Sequence, residues 1–350
     1  MKKTPASNRL DGLDLARFVA FAGMVIVNFK IAMGAEGGNG YLSFLTTALE
    51  GRAAATFVVL AGIGLGLAGQ NRLDQTISVT IKRAIFLLVI GLLNMTIFEA
   101  DILHYYAFYF LFGVFLLPLS SRALFWILLG INVAFPFMIL TLNYDAGWNW
   151  SDYSYSGFWT PVGFVRNLFF NGWHPVIPWI GFLLFGIVLS RASLAKRATQ
   201  WKLVIGGAIA FAVAQGVSAL LIAQLVPIAP ELSALVTTSP VPPMPQYTLA
   251  GVGTASIVVG ACLLLSNSLR AIGVLQLLLP AGRQTLTLYI AHILIGMGTL
   301  EALDKLGGQT VAQTVGASLL FCLVAIVYAL IWTRWFKRGP IEAIMRKLAG

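Results

Sequence analysis

The chain has 350 residues, of which 58% are hydrophobic and only 10% charged, with a mean hydropathy of +0.85 and a formal net charge of +10. Soluble domains carry about 25% charged residues, and a chain of this length cannot hide so much apolar surface in one aqueous core, so the composition excludes a soluble globular protein. No Lys/Arg stripe interleaved with aromatics occurs, so the positive charge does not point to nucleic acid as a partner.

A membrane span needs about 20 mostly apolar residues. In chain order such runs fall near 13–33, 52–69, 84–98, 104–119, 123–141, 174–190, 203–226, 248–266, 284–301 and 310–332. They predict an all-α, polytopic transmembrane helix bundle of about ten helices, with residues 1–350 as a single transmembrane domain in the lipid bilayer. The third and fourth runs are short and separated by Glu99, Asp101 and His104, which predicts a tight hairpin. The first run has basic flanks, yet it exceeds a signal peptide's apolar region and lacks a small-residue cleavage site, so it reads as a retained anchor. Two connections are long: 142–173, rich in Trp, Tyr, Asn and Gly, and 227–247, rich in Pro. Aromatic stretches at such a depth serve as interface anchors or as a substrate-binding surface. No internal repeat of the transporter kind is visible.

Orientation follows from Lys and Arg, which accumulate on the cytoplasmic side. With both termini cytoplasmic, Lys2, Lys3, Arg9 and Arg17 lie inside, as do Arg72, Lys82, Arg83, Arg122, the 191–202 and 270–283 connections and the tail from Arg334. That arrangement places 19 of 23 basic residues inside and leaves only Lys30, Arg52, Arg166 and Lys305 outside. Nine of 13 acids, Glu36 among them, fall outside. The chain is expected to be a multi-pass protein of a bacterial inner membrane.

Ionisable groups inside or beside the spans are costly there and therefore informative. His292 sits midway along the ninth run, and Thr285, Tyr289, His292, Gly296 and Thr299 share one helical stripe. That stripe is either a reactive seam facing the bundle interior or a neutral histidine bonded to a neighbouring helix. His104 follows Asp101 by three residues, so the carboxylate can orient the imidazole as a general base or simply cap the helix start. His174 lies between Trp173 and Pro175 at the entry to the sixth run, and the nearby Arg166 could bind an anion. Glu50 and Arg52 open the second run, and Asn28 ends the first. The topology places Asn28, Glu50, Arg52, Asp101, His104 and His174 toward one leaflet.

Cys262 and Cys322 lie in apolar runs without Cys or His at ligand spacing, which suggests neither a disulfide nor a metal site. There is no phosphate-binding loop and no Gly-x-Ser-x-Gly; the glycines at 62, 64, 66, 206 and 207 sit within spans, where glycine permits close helix packing.

Several segments taken in order carry a family resemblance. They are Arg9-Leu-Asp11-Gly-Leu-Asp14-Leu-Ala-Arg17 leading to Val27-Asn28-Phe29, then Glu50-Gly-Arg52 with Leu60-Ala-Gly62-Ile-Gly64, then Asp101-Ile-Leu-His104-Tyr-Tyr106. His174-Pro-Val-Ile-Pro178-Trp179, Gly282-Arg283-Gln-Thr-Leu-Thr287-Leu-Tyr289-Ile-Ala-His292 and Arg338-Gly-Pro340-Ile-Glu342 follow. The set resembles the YeiB-like family of bacterial membrane proteins, related to heparan-α-glucosaminide N-acetyltransferase within the transmembrane acyltransferase group. Asn28 matches the asparagine of a Val-Asn-Tyr that ends the first span of the heparan enzyme, whose catalytic histidine follows in the next loop. Residues 29–51 contain no histidine. Tyr289-Ile-Ala-His292 resembles a Tyr-Val-Gly-His near that enzyme's end.

The resemblance implies transfer of an acyl group, acetyl above all, from cytoplasmic acyl-CoA (acetyl-CoA) to a small-molecule or glycan acceptor at the outer face, without a metal. His104 or His292 would serve as base, with Asp101 orienting His104 and Asn28 polarising the carbonyl. Arg17, Arg83 and Arg283 would hold the CoA phosphates, and Glu50, Arg52, His174 and Arg166 would meet the acceptor. The same arginines also suit ordinary positive-inside anchoring. A transporter or flippase lined by the polar seam is the other reading, and assembly as a homodimer is compatible with both.

Overall fold

The computed structural model describes residues 10–35, 40–70 and 72–350; Lys2, Lys3, Arg9 and Glu36 lie outside the described residues. In chain order the helices are α1 (Asp11–Ala32), α2 (Tyr41–Leu49), α3 (Arg52–Gly69), α4 (Leu73–Met95), α5 (Leu103–Leu116) and α6 (Ser121–Thr141). A two-residue hairpin follows, β1 (Trp148–Asn149) against β2 (Ser154–Tyr155). Next come α7 (Pro161–Arg166), continued by a π turn at Asn167–Asn171, then α8 (Val176–Ser190), α9 (Arg197–Leu225) and α10 (Pro245–Ala271). The chain ends with α11 (Val274–Gly282), α12 (Thr285–Ala291), a π turn at His292–Met297, α13 (Gly298–Ala302), α14 (Val311–Trp332) and α15 (Pro340–Ala349).

Among the described residues, eight helical stretches are long and apolar enough to cross a membrane, and the bent pair Pro161–Asn171 and Val176–Ser190 makes up to nine. The remaining expected run, 104–119, is α5, apolar but shorter. Each predicted run thus meets a helix. The helix of the third run begins at Leu73 rather than at 84, because Asp74, Lys82 and Arg83 hide its first turns from a hydropathy reading. The helices α2, α11 and α15 were not expected at all. Several helices carry broad apolar exposure: Phe125, Val133, Phe137 and Leu140 on α6, Ile205, Ile209 and Val213 on α9, Leu319, Leu320, Leu323 and Val324 on α14. Such faces suit lipid and not water.

Two compact units divide the chain, and each is described by itself. The first comprises residues 1–49, 193–207 and 256–342. Its axis is α1, against which α2, α11, α12 and α14 pack. Glycines set how closely they approach: a Cβ at Gly12 would lie 2.7 Å from Leu263 Cα, and one at Gly282 would lie 2.0 Å from the Asp14 carbonyl oxygen. The second unit comprises 50–192, 208–255 and 343–350. Its centre is the crossing of α3 and α8, where a Cβ at Gly62 would fall 2.1 Å from the Leu183 carbonyl oxygen and one at Gly186 would fall 2.1 Å from that of Val59. Small residues let helix backbones touch where lipid supplies no hydrophobic drive between helices. The α4–α5 hairpin is as predicted, with Gly91 directly beneath the His104 backbone nitrogen. Cys262 and Cys322 are buried packing residues.

Gly51 turns the chain into α3 with φ +67, and an added Cβ would meet Pro240 Cβ at 2.4 Å and the Tyr247 hydroxyl at 2.7 Å. Strain and overpacking act together there, so Gly51→Ala is expected to destabilise the protein by about 1–3 kcal/mol, read as a lower unfolding temperature in detergent.

Candidate functional site

The first unit brings together two predicted residues from distant parts of the sequence. Asn28, near the end of α1 and half-buried, lies with its Nδ2 2.9 Å from Nε2 of His292, which is fully buried. The other ring nitrogen, Nδ1, faces the main-chain oxygen of Tyr289. A carbonyl can only accept, so Nδ1 carries the proton and Nε2 keeps its lone pair for the Asn28 amide. The imidazole is therefore held in one tautomer with its basic nitrogen against an amide donor. Phe21 and Tyr289 wall the ring, at centroid distances of 6.2 and 4.9 Å. A π turn begins at His292; such turns insert a residue and recur at functional sites. It also corrects the predicted stripe. Tyr289, His292 and Gly296 stay on the buried face, but the extra residue rotates Thr299 outward and brings Leu300 in. Gly296 is required beneath the ring of Phe29, whose Cζ would lie 2.8 Å from a Cβ there.

At the other end of α1 sits an ionic cluster. Asp14, 2% exposed in its side chain, pairs with Arg17 at 2.5 Å and Arg283 at 3.0 Å; Asp11 pairs with Arg270 at 2.5 Å and Arg283 at 3.0 Å. The close passage at Gly282 brings Arg283 to Asp14. The arginines remain partly exposed, with side-chain values of 28% for Arg17, 52% for Arg270 and 37% for Arg283, and the carboxylates fix one edge of each guanidinium. Three arginines against two aspartates leave a net positive charge beside α1. Arg83, predicted alongside Arg17 and Arg283, belongs to α4 in the second unit.

The second unit holds Asp101, His104, His174, Arg52, Glu50 and Arg166. Asp101 and His104 are both fully buried, and Nδ1 of His104 lies 3.3 Å from Oδ2 of Asp101. The same carboxylate accepts from the backbone nitrogens of Leu103 (2.7 Å) and His104 (3.2 Å) and from Asn94 Nδ2 (2.7 Å). It is at once a helix cap and a histidine partner. His104 Nε2 has no hydrogen-bond partner among the described residues, and neither do His174 Nδ1, the Tyr106 and Tyr247 hydroxyls or Trp179 Nε1, all of them buried. Ring contacts run from His104 to Tyr105 (3.9 Å), on to His174 (5.8 Å), Trp179 (4.6 Å) and Tyr247 (5.7 Å). Arg52, 6% exposed, donates to the oxygen and hydroxyl of Thr238 at 3.2 and 3.0 Å and lies close enough to Glu50 and Tyr247 to feel both. Burying so many polar atoms without partners is costly, which marks this region as a buried polar cluster and not as packing alone.

Arg166 is engaged elsewhere. Its Nε donates to the Tyr155 hydroxyl at 2.8 Å, and that hydroxyl donates to Asn171 Oδ1 at 2.9 Å, so Arg166 braces the aromatic connection. Trp148 and Trp150 stack there at 4.7 Å. Hydrogen bonds from Ser154 hold the exposed Asp152 carboxyl below its usual range.

Sequence reasoning missed Asn94, Tyr105, Trp179 and Tyr247 as site residues, because an aromatic or amide inside a span carries no signal of which way it points. It also missed that Asn28 and His292 are partners.

Among the described residues no group of three or more His, Cys, Asp or Glu side chains is placed to hold a metal ion. No curated protein and no solved structure matches the chain. Two family profiles do. Residues 186–350, which include Arg283 and His292, match the family described as protein of unknown function (DUF418), the YeiB-like proteins. Residues 9–226, well over half the chain and including Asn28, Asp101 and His104, match the catalytic domain of heparan-alpha-glucosaminide N-acetyltransferase. The chain is a multi-pass integral membrane protein that belongs to the heparan-alpha-glucosaminide N-acetyltransferase family of membrane acetyltransferases, YeiB-like branch.

Proposed function

We propose that this protein transfers an acetyl group from acetyl-CoA to a hydroxyl or amine acceptor, with the chemistry at Asn28 and His292. The observation that carries this reading is the Asn28–His292 hydrogen bond, which joins a family-matched asparagine to a tautomer-fixed histidine from a distant segment. It supplies the histidine that residues 29–51 lack.

The donor's phosphates suit the partly exposed guanidinium groups of Arg17, Arg270 and Arg283, because guanidinium binds phosphate with paired N–H bonds. From Asp14 to Asn28 the helix rises about 21 Å, a length of the order of an extended phosphopantetheine arm. A donor lying along α1 would bring its thioester to Asn28. The acceptor's O–H or N–H would replace the Asn28 amide on Nε2 of His292, which takes the proton as the acceptor attacks the thioester carbonyl carbon. The freed Asn28 N–H donates to the carbonyl oxygen as it gains negative charge. The carbon–sulfur bond then breaks, and His292 returns the proton to the departing thiolate. The excess of Lys and Arg at the arginine end supports a cytoplasmic position for it in a bacterial cell, with the Asn28 end toward the outer face and a sugar as the proposed acceptor there.

Titrating acetyl-CoA onto detergent-purified protein is expected to raise its unfolding temperature saturably, by an amount equivalent to about 2.7 kcal/mol at one hundred times Kd. Arg283→Gln should weaken that shift. No shift up to millimolar acetyl-CoA would overturn the donor assignment.

A second reading rests on the unpartnered Nε2 of His104, which with Asp101 has the form of an oriented base. It predicts that His104→Gln abolishes transfer while His292→Gln does not.

A further inference from the structure

The sequence motifs Gly282–His292 and Arg338–Glu342 lie far apart in the chain, yet they form one structure. Helix α12 begins without a capping side chain of its own, since Gln284 at its start makes no side-chain cap bond. The bonds come instead from the tail. Glu342 Oε1 accepts from the backbone nitrogens of Leu286 (2.8 Å) and Thr287 (3.1 Å), and Oε2 accepts from the Thr287 hydroxyl (2.5 Å). The Thr287 oxygen in turn accepts from the backbone nitrogen of Ile341 at 3.1 Å. Gly339 is packed into the junction: a Cβ there would lie 2.3 Å from Glu342 Oε2, 2.7 Å from the Thr287 hydroxyl oxygen and 3.2 Å from Gln284 Cβ. Trp332 Nε1 donates to the Arg338 oxygen at 2.7 Å and anchors the start of the tail to α14.

This arrangement matters because α12 is short. It has seven residues before the π turn that starts at His292, and it runs on through that turn and α13 as the single stretch Thr285–Ala302, so its first turn is one end of the helix that carries the imidazole. The first four N–H groups of a helix need partners, and a carboxylate there also meets the favourable end of the helix dipole. From Thr287 to His292 is less than two turns, so a loosened start reaches the imidazole directly.

We propose that Glu342 is a positioning residue for the Asn28–His292 pair: the tail motif clamps the start of α12 and thereby fixes where Nε2 of His292 sits. The inference rests on the reading that Asn28 and His292 are the reaction centre, but its structural half can be tested apart from it. Histidine-selective ¹⁵N labelling reads the tautomer and hydrogen bonding of the imidazole without any substrate, and His292→Gln identifies the signal among the three histidines. In Glu342→Ala the His292 signal is expected to move toward an exchanging mixture of tautomers. Turnover with acetyl-CoA should fall about tenfold or more with the KM for acetyl-CoA unchanged, and Glu342→Gln, which keeps one acceptor oxygen, should lie between. Ile344→Ala, two residues on and 52% exposed, should leave both readouts unchanged. Should Glu342→Ala fail to fold, Glu342→Gln and Gly339→Ala carry the same comparison. An unmoved His292 signal and unchanged turnover in folded variants would overturn the proposal. A moved signal with His292→Gln still fully active would keep the clamp and reject the reaction centre.

Discussion

His292→Gln is expected to lower acetyl transfer by about 10²–10⁴-fold while leaving the protein folded, because it removes the group that faces Asn28 and is able to take a proton. Glutamine is close to the imidazole in size and retains an amide that can face Asn28, so the surrounding ring contacts with Phe21 and Tyr289 lose little. Asn28→Ala should cost about 10²–10³-fold, the usual loss for removing one donor to a developing oxyanion. The two residues act on one reacting carbonyl, so the double variant should be little worse than His292→Gln alone. Additive losses would mean that the two side chains serve separate steps. A stopped reaction assay with labelled acetyl-CoA, beside circular dichroism and size-exclusion profiles, measures both the loss and the fold.

Gly62→Leu should prevent the second unit from forming its central crossing. The space at Gly62 is bounded by main-chain atoms, the Leu183 oxygen at 2.1 Å and Gly186 Cα at 3.0 Å, neither of which can move aside like a flexible side chain. Overpacking of this kind costs about 3 kcal/mol or more when backbone must shift. The consequence reaches the buried polar cluster around His104 and His174, since α8 carries Trp179 and Phe182, which are both fully buried. Gly130→Leu is the matched control. Gly130 is exposed on α6 with nothing within 4 Å of an added Cβ, so the substitution should stay within about 0.5 kcal/mol of the parent. Thermal unfolding in detergent and the monodisperse fraction after purification separate the two outcomes.

The spans were legible because each is a long apolar run that water cannot hold. Their ends were less so. Helix α4 begins eleven residues ahead of its hydropathy run, behind Asp74, Lys82 and Arg83, whose side chains leave the backbone helical while hiding it from an apolar count. Helix α15 was invisible for a related reason: it is amphipathic, with Ile344 and Leu348 interspersed by Arg346 and Lys347, and too short to be a span. Local pairs at helical spacing, such as Asp101 with His104, could be read directly because three residues make one turn. Long-range pairs could not. Nothing in the residues between Asn28 and His292 says that the end of α1 meets the middle of a helix 264 positions later. Glu342 was quoted as part of a tail motif with no role, since a single glutamate after Gly-Pro-Ile gives no sign of the backbone it meets more than fifty positions earlier. Arg17 and Arg283 meet at one end of α1 through Asp11 and Asp14, which the sequence offered only as motif letters and not as the groups that aim them.

The most direct test is transfer itself. Purified protein in detergent is given acetyl-CoA labelled in the acetyl group, together with a panel of amino and hydroxylated sugars, and label in the sugar fraction is followed for the parent, His292→Gln and His104→Gln. The account predicts label in at least one sugar with the parent, loss of about 10²-fold or more with His292→Gln, and retention with His104→Gln. Label that survives His292→Gln and vanishes with His104→Gln would contradict it and move the reaction to the Asp101–His104 pair.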